Sequence, residues 1–322
     1  MVTTKQNKWQ LASALAVVAT TLAVIVPEVK SQSPSTIKID GSSTVYPITE
    51  AVAEEFQKEK KGAVRVTVGI SGTGGGFKKF CSQEDSVRTD ISDASRLIES
   101  SEAEKCKAAG IEFIELPIAY DAITLVVNPK NPVNSMTLDE IKKMWRPEAQ
   151  DKIMKWNQLN SSWPDAELRL YGPGADSGTF DYFTKKIVGE SGAIRSDYTP
   201  SEDDNVLVQG VASDSHAIAY FGYSYYEANQ DKLKAIGIDS GSGPVKPSLE
   251  TVQSGQYQPL ARPIFIYVNA KSVERPEVKE FVEFYLLNAP KLVKEVKSLP
   301  MSNAEYQETM QRFQNRVLGT VR

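Results

Sequence analysis

Three stretches of the chain share one pattern. Each has a short apolar or alternating run, then glycines with hydroxyl residues, then apolar residues at helical spacing. Ile37-Lys38-Ile39 leads into Asp40-Gly41-Ser42-Ser43-Thr44-Val45-Tyr46-Pro47 and a helix carrying Ile48, Val52 and Phe56. Val64, Val66 and Val68 alternate ahead of Ser71-Gly72-Thr73-Gly74-Gly75-Gly76-Phe77. Leu168 to Tyr171 precedes Gly172-Pro173-Gly174-Ala175-Asp176-Ser177-Gly178-Thr179-Phe180, after which Phe183 and Ile187 continue the helical spacing. The spacing predicts strand 37–40, helix 47–58, strand 64–70, helix 76–81, a strand near 90–92, helix 101–109 and strand 111–116. Such alternation is the mark of an α/β fold with a mainly parallel sheet. Ligands of these sheets bind outside the C-terminal strand ends. The Ser42–Thr44 loop, the Ser71–Gly76 loop and Asp93 all fall there.

Further along, Pro117 to Asn128 is a long extended run stopped by Pro129 and Pro132. Thr137-Leu138-Asp139-Glu140 is a capping box ahead of Ile141 and Trp145. A second extended run, Pro263 to Val268, is followed by helical stretches at 277–287, 291–297 and 302–316. The two runs flank a middle region. They read either as two crossovers between two lobes or as core strands of one large sheet. Residues 239–259, rich in Gly, Ser, Pro and Gln, read as an exposed loop.

A length of 322 residues suggests about two domains. The formal charge of −4 speaks against general nucleic-acid binding, which favours basic surfaces. Residues 1–31 have the layout of a cleavable secretory signal: Lys5 and Lys8, an apolar run from Leu11 to Val26, then the small residues Val29 and Ser31. That run is short for a span, which needs about 20 residues. No Cys lies near the cleavage point, so a lipid anchor is not expected. The two cysteines, Cys81 and Cys106, are expected to form a disulfide in an exported protein. Two Cys and the single His216 cannot supply the four N or S ligands of a structural zinc site.

The three glycine and hydroxyl segments point to a shared chemistry. Helix starts present unpaired N–H groups and a partial positive charge. Gly178 lets a ligand approach the main chain, and Asp176 or Ser177 is the expected N-cap. None of the three segments carries Lys or Arg within its loop, so neutral dipoles converging on a small anion are expected. Asp93, in Ser92-Asp93-Ala94-Ser95-Arg96, is a carboxylate beside an anion site. It fits a ligand that carries its own proton: monohydrogen phosphate can donate O–H to Asp93, whereas sulfate cannot. A site built around a ligand hydroxyl rejects the analogue lacking it by about 10⁴–10⁵-fold. Arg96 is the candidate counter-charge.

With these residues quoted, the chain resembles the periplasmic phosphate-binding proteins of the high-affinity phosphate ABC transporter, most of all their cyanobacterial branch. The resemblance covers about residues 36–320. It rests on Gly41–Pro47, Ser71–Gly76, Ser92–Arg96, Ser177-Gly178-Thr179 and Ala217-Ile218-Ala219-Tyr220-Phe221. It implies a two-lobed periplasmic-binding-protein-like fold of type II, with a two-stranded hinge. Lobe 1 would hold residues 36–118 and 264–322, and lobe 2 residues 119–263. It implies capture of inorganic phosphate by a periplasmic monomer and delivery to an inner-membrane ABC permease, with no cofactor, metal or nucleic acid. The implied ligands are Ser43, Thr44, Ser71 or Thr73, Asp93, Ser177, Gly178 and Thr179. Many family members carry Arg four residues before the Ser of Ser-Gly-Thr. Here Pro173 stands there, which makes Arg96 the expected substitute.

Two other readings compete. One is a binder of another oxyanion, such as sulfate or molybdate, against which Asp93 weighs. The other is a secreted hydrolase with Ser177 or Ser71 as nucleophile. It would need His216 as base, in a segment that reads as a buried turn, and no Gly-x-Ser-x-Gly elbow occurs. Nor does Gly72–Gly76 continue into the Gly-Lys-Ser/Thr of a Walker loop.

Overall fold

The structure, a computed structural model, describes residues 35–320, so the expected signal at 1–31 lies outside the described residues. The strands are β1 (Ser35–Gly41), β2 (Val64–Ile70), β3 (Ile91–Ala94), β4 (Phe113–Val127), β5 (Ser135–Thr137), β6 (Arg169–Pro173), β7 (Thr199–Ser201), β8 (Ala217–Gly222), β9 (Lys234–Ala235), β10 (Gly237–Asp239), β11 (Pro244–Val245) and β12 (Ala261–Asn269). The helices are α1 (Tyr46–Glu59), α2 (Gly72–Phe80), α3 (Ser100–Ala108), α4 (Leu138–Trp145), α5 (Gly178–Phe183), α6 (Asp204–Ser213), α7 (Tyr223–Ala228), α8 (Leu249–Gln253), α9 (Pro276–Glu295) and α10 (Asn303–Gln314).

Local sequence accounts for most of these bounds. Thr137 caps α4 by accepting from the Glu140 N–H at 3.2 Å, as the capping box requires. Ser302 does the same for α10 at 3.3 Å to Glu305. In α1, Ile48, Val52 and Phe56 are buried, and Phe56 meets Phe281 of α9 edge-on at 5.2 Å.

Two elements depart from their local signals. Helix α2 begins at Gly72, not near residue 76, so the glycine-rich segment is its opening turns and not a loop. Glycine is a poor helix former, but here it allows close packing: a Cβ on Gly76 would lie 2.7 Å from Gly41 Cα and 2.8 Å from Ser92 Oγ. Helix α9 runs unbroken through Pro290, where the sequence suggested two helices. Its buried face continues on both sides, from Phe281, Tyr285 and Leu286 to Ala289, Leu292 and Val293. Tertiary burial there outweighs proline's local cost of about 3 kcal/mol. Residues 239–259 are also less irregular than expected, since they hold β11 and α8.

The main sheet runs β2-β1-β3-β12-β4-β8-β6-β7, with β9 also on β4. Its flanks are parallel: β1 with β2 and β3, and β6 with β7 and β8. Its middle is antiparallel, β12 with β3 and β4, and β4 with β8. The two extended runs are therefore neighbouring strands, β4 and β12. The first part of β4 pairs with β12 and its end, Ile123–Val127, with β8. The core changes identity along them. Ile114, Leu116, Ile118, Ala119, Ile264 and Ile266 belong to one apolar cluster. Ala122, Ile123, Leu125, Val127 and Leu260 belong to another. Asp121 and Arg262, cross-strand partners in the register, stand at the changeover. Cys81 and Cys106 are disulfide-bonded, joining the end of α2 to α3.

Candidate anion-binding site

One wall of the site is built by the ends of β1, β2 and β3. After β1 the chain turns tightly, with the Ser42 N–H donating to the Asp93 carbonyl at 3.0 Å and the Tyr46 N–H donating to the Ser42 carbonyl at 3.0 Å. Ser43 and Thr44 are buried, and α1 starts without a side-chain cap, so neither hydroxyl is spent on capping it. Asp93, 0% exposed, accepts from Thr49 Oγ1 at 3.1 Å through Oδ1. Among the described residues its Oδ2 and the neighbouring Ser92 Oγ have no hydrogen-bond partner. Thr73 is buried in the first turn of α2, where its Oγ1 accepts from the Ser95 N–H at 3.1 Å.

The facing wall is the start of α5 with Asp121 and Arg262 behind it. Ser177 is the N-cap, accepting from the Thr179 N–H at 3.1 Å. Asp176 is therefore not the cap. Gly178 meets the first wall directly: a Cβ there would lie 2.5 Å from Thr73 Oγ1 and 2.7 Å from Ser95 Oγ. Only glycine lets the walls approach this far. Thr44 and Thr179 link the walls through their hydroxyls at 3.1 Å. Arg262, 3% exposed, donates from Nη1 to the Gly178 carbonyl and from Nη2 to Thr179 Oγ1, both at 2.6 Å. Its Nε and Nη2 also donate to Asp121 Oδ2, at 3.2 and 3.0 Å.

The structure therefore gathers Thr44, Thr73, Ser177, Gly178 and Thr179, with Ser43 and Asp93 on the same buried turns. Two expected residues are placed differently. The Ser71 hydroxyl donates to Asp40 Oδ1, a carboxylate that also receives Lys79, so Thr73 is the residue of that pair facing Gly178. Arg96 is held by carboxylates: Nη1 and Nη2 donate to Glu102 at 2.7 and 2.9 Å, and Nε to Asp181 at 2.7 Å. The cation beside Thr179 is Arg262, not Arg96. Its only sequence signal is a charge leading a buried run, matched by Asp121 inside the other run. Their pairing is set by strand register. His216 is exposed, not buried, and precedes the N-terminal end of β8, opposite the site. Among the described residues the hydrolase reading thus has no histidine base near either serine.

Burial sets the electrostatics. It raises the Asp93 carboxyl well above the usual range, against the Thr49 hydrogen bond and aided by Asp40. Asp204, buried at the start of α6, is pushed up to about 8, first by burial and then by the charges of Asp121 and Asp203. Burial lowers the Arg262 guanidinium, and Asp121 opposes the shift. The arginine–carboxylate pair is thus a fixed dipole aimed at Thr179, and burial favours the protonated form of the Asp93 carboxyl. Among the described residues no group of three or more His, Cys, Asp or Glu is arranged for a metal.

The family model of the PBP superfamily domain matches residues 28–289. The chain is 50% identical over 293 residues to protein SphX of Synechocystis, covering 90% of this chain and 86% of that one. The chain belongs to the PBP superfamily, in the family of SphX and PstS. To the phosphate-binding protein PstS of Staphylococcus saprophyticus it is 37% identical over 275 residues, covering 84% of this chain and 82% of that one. A substrate-binding protein of Clostridium perfringens, solved with bound phosphate, superposes with a TM-score of 0.69 at 27% identity, covering 83% of this chain and 100% of that one. The fold is the type II PBP architecture, and its antiparallel centre is β4 and β12. Among the described residues no helix is long and apolar enough to cross a membrane.

Proposed function

We propose that this PBP-family chain captures inorganic phosphate between the two walls and hands it to an ABC permease, without chemistry on the ligand. The observation that carries this reading is the pairing of a buried, half-partnered Asp93 with the Arg262–Asp121 dipole across a ring of hydroxyls. Arg262 would supply charge-assisted donation. Thr44, Thr73, Ser177 and Thr179, with the Gly178 N–H and Ser43, would supply neutral donors, and Ser71 would hold Asp40 in place. The ligand proton would lie between a phosphate oxygen and Asp93 Oδ2. A fully deprotonated oxyanion meets that oxygen with no proton unless Asp93 brings one.

The same reading makes β4 and β12 the hinge, with lobes 36–118 plus 264–322 and 119–263. The change of apolar cluster between Ala119 and Ala122 supports that division. It further takes the chain as a monomer exported to the periplasm with residues 1–31 removed, which N-terminal sequencing of the secreted protein tests. Calorimetric titration of ligand-stripped protein is the central experiment. Tight one-to-one binding of phosphate with weak binding of sulfate is the expected result. Absence of phosphate binding would refute the reading.

A further inference from the structure

We propose that Arg96 is a positioning residue that staples the two walls together and sets how slowly bound phosphate leaves. The inference rests on the phosphate-binding reading.

Thr44, Asp93, Thr179 and Arg262 are each at most 3% exposed, so a ligand among them enters and leaves only when the walls part. Contacts that cross the walls must then break. The Gly74 N–H to the Asp176 carbonyl, at 2.8 Å, is one. Lys78 to Asp176, at 2.6 Å, is another, but Lys78 is 63% exposed and an ion pair in water is worth little. Arg96 differs. Its side chain is 10% exposed, and Glu102 and Asp181 are 12% and 17% exposed. Glu102 fixes the guanidinium from below through two parallel bonds, leaving Nε aimed at Asp181. Glu102 lies on α3, and the disulfide ties α3 to α2, the helix that carries Thr73.

Arg96 follows Ser95, whose hydroxyl packs against Gly178, and Asp181 is three residues beyond Gly178. The second wall is thus attached to the first at two points of one helical turn, by main-chain contact at Gly178 and by charge at Asp181. A cavity of about 360 Å³ lined by Arg96, Asp181, Lys185, Lys186 and Arg262 adjoins the staple.

Release of labelled phosphate into excess unlabelled phosphate tests the proposal in the wild type, Arg96→Gln, Asp181→Asn and the double variant. Each single change should speed release about tenfold with little effect on association, because changes at a contact surface act mainly on dissociation. The double variant should be no faster than either single one. In phosphate-free protein, amide exchange across Gly178–Phe183 should rise in both single variants while the melting temperature of Asp181→Asn stays near that of the wild type. Multiplying effects, or unchanged release and exchange, would overturn the staple. So would a loss of affinity beyond about a thousandfold in Arg96→Gln with Asp181→Asn neutral, which would make Arg96 a ligand. If the wild type binds no phosphate, the binding reading has failed, and the exchange measurement still decides whether the staple exists.

Discussion

The two walls of the candidate site are built by opposite means. The wall at the ends of β1, β2 and β3 offers hydroxyls and one acid, and its cations Lys78, Lys79 and Arg96 are engaged with carboxylates. The wall of α5 holds Arg262, already half-neutralised by Asp121. One wall therefore presents an unpartnered carboxyl oxygen and the other a guanidinium. A single wall carrying both would collapse into its own salt bridge, since a free guanidinium beside Asp93 would pair with it. Separating them leaves Asp93 Oδ2 unpartnered among the described residues.

The largest expected effect comes from removing the charge. Arg262→Gln should weaken phosphate binding by about a thousandfold, as two charge-assisted bonds at roughly 1.5–3 kcal/mol each are lost. Arg262→Lys should recover little of it, because the lysine point charge cannot bridge Gly178, Thr179 and Asp121 together. Calorimetry reads both. Binding that survives Arg262→Gln nearly intact would erase the division of labour between the walls.

Asp93→Asn comes next and should act in two directions. Phosphate affinity should fall by about ten- to a hundredfold, because the amide cannot take the ligand proton through the same geometry. The ligand-free protein should melt higher, because a raised carboxyl pKa means that ionising Asp93 in the fold is unfavourable. The sign follows from linkage: the folded state holds this proton more tightly than the unfolded chain, so the group's penalty grows as pH rises above the unfolded value of about 3.9. Lower affinity without a higher melting temperature would make Asp93 a scaffold residue.

Selectivity should also move with pH. At low pH a protonated Asp93 can donate to sulfate, and as pH rises through its elevated pKa that donation is lost. Sulfate competition should therefore weaken as pH rises in the wild type and stay flat in Asp93→Asn, as competition titrations would read. The smallest contrast lies within one helix start. Thr73→Ala should weaken phosphate binding by about fivefold, a lost hydrogen bond of roughly 1 kcal/mol. Ser71→Ala should spare binding and lower stability by a similar energy, since Asp40 loses a donor. Equal effects on binding would return Ser71 to the ligand set.

Much of this was legible because it is local. The strand and helix order, the capping boxes at Thr137 and Ser302, and the glycine and hydroxyl segments at strand ends each follow from neighbouring residues. The hidden parts are those set at long range. Helix α2 starts at Gly72 because β1 and β3 need glycines packed against them. Helix α9 passes Pro290 because its buried face continues beyond it.

By itself the sequence determined the α/β order, the hydroxyl-rich turns and Asp93 as the proton-reading candidate, all properties of short windows with their own propensities. Only the tertiary structure decided which cation reaches Thr179. Arg96 lies three residues from Asp93 and is taken by Glu102 and Asp181. Arg262 is far away in sequence and arrives through the register of β12 on β4 beside Asp121. Nearness along a chain does not choose a partner for a buried charge. The desolvation of that charge does, and it is settled only when every strand is in place.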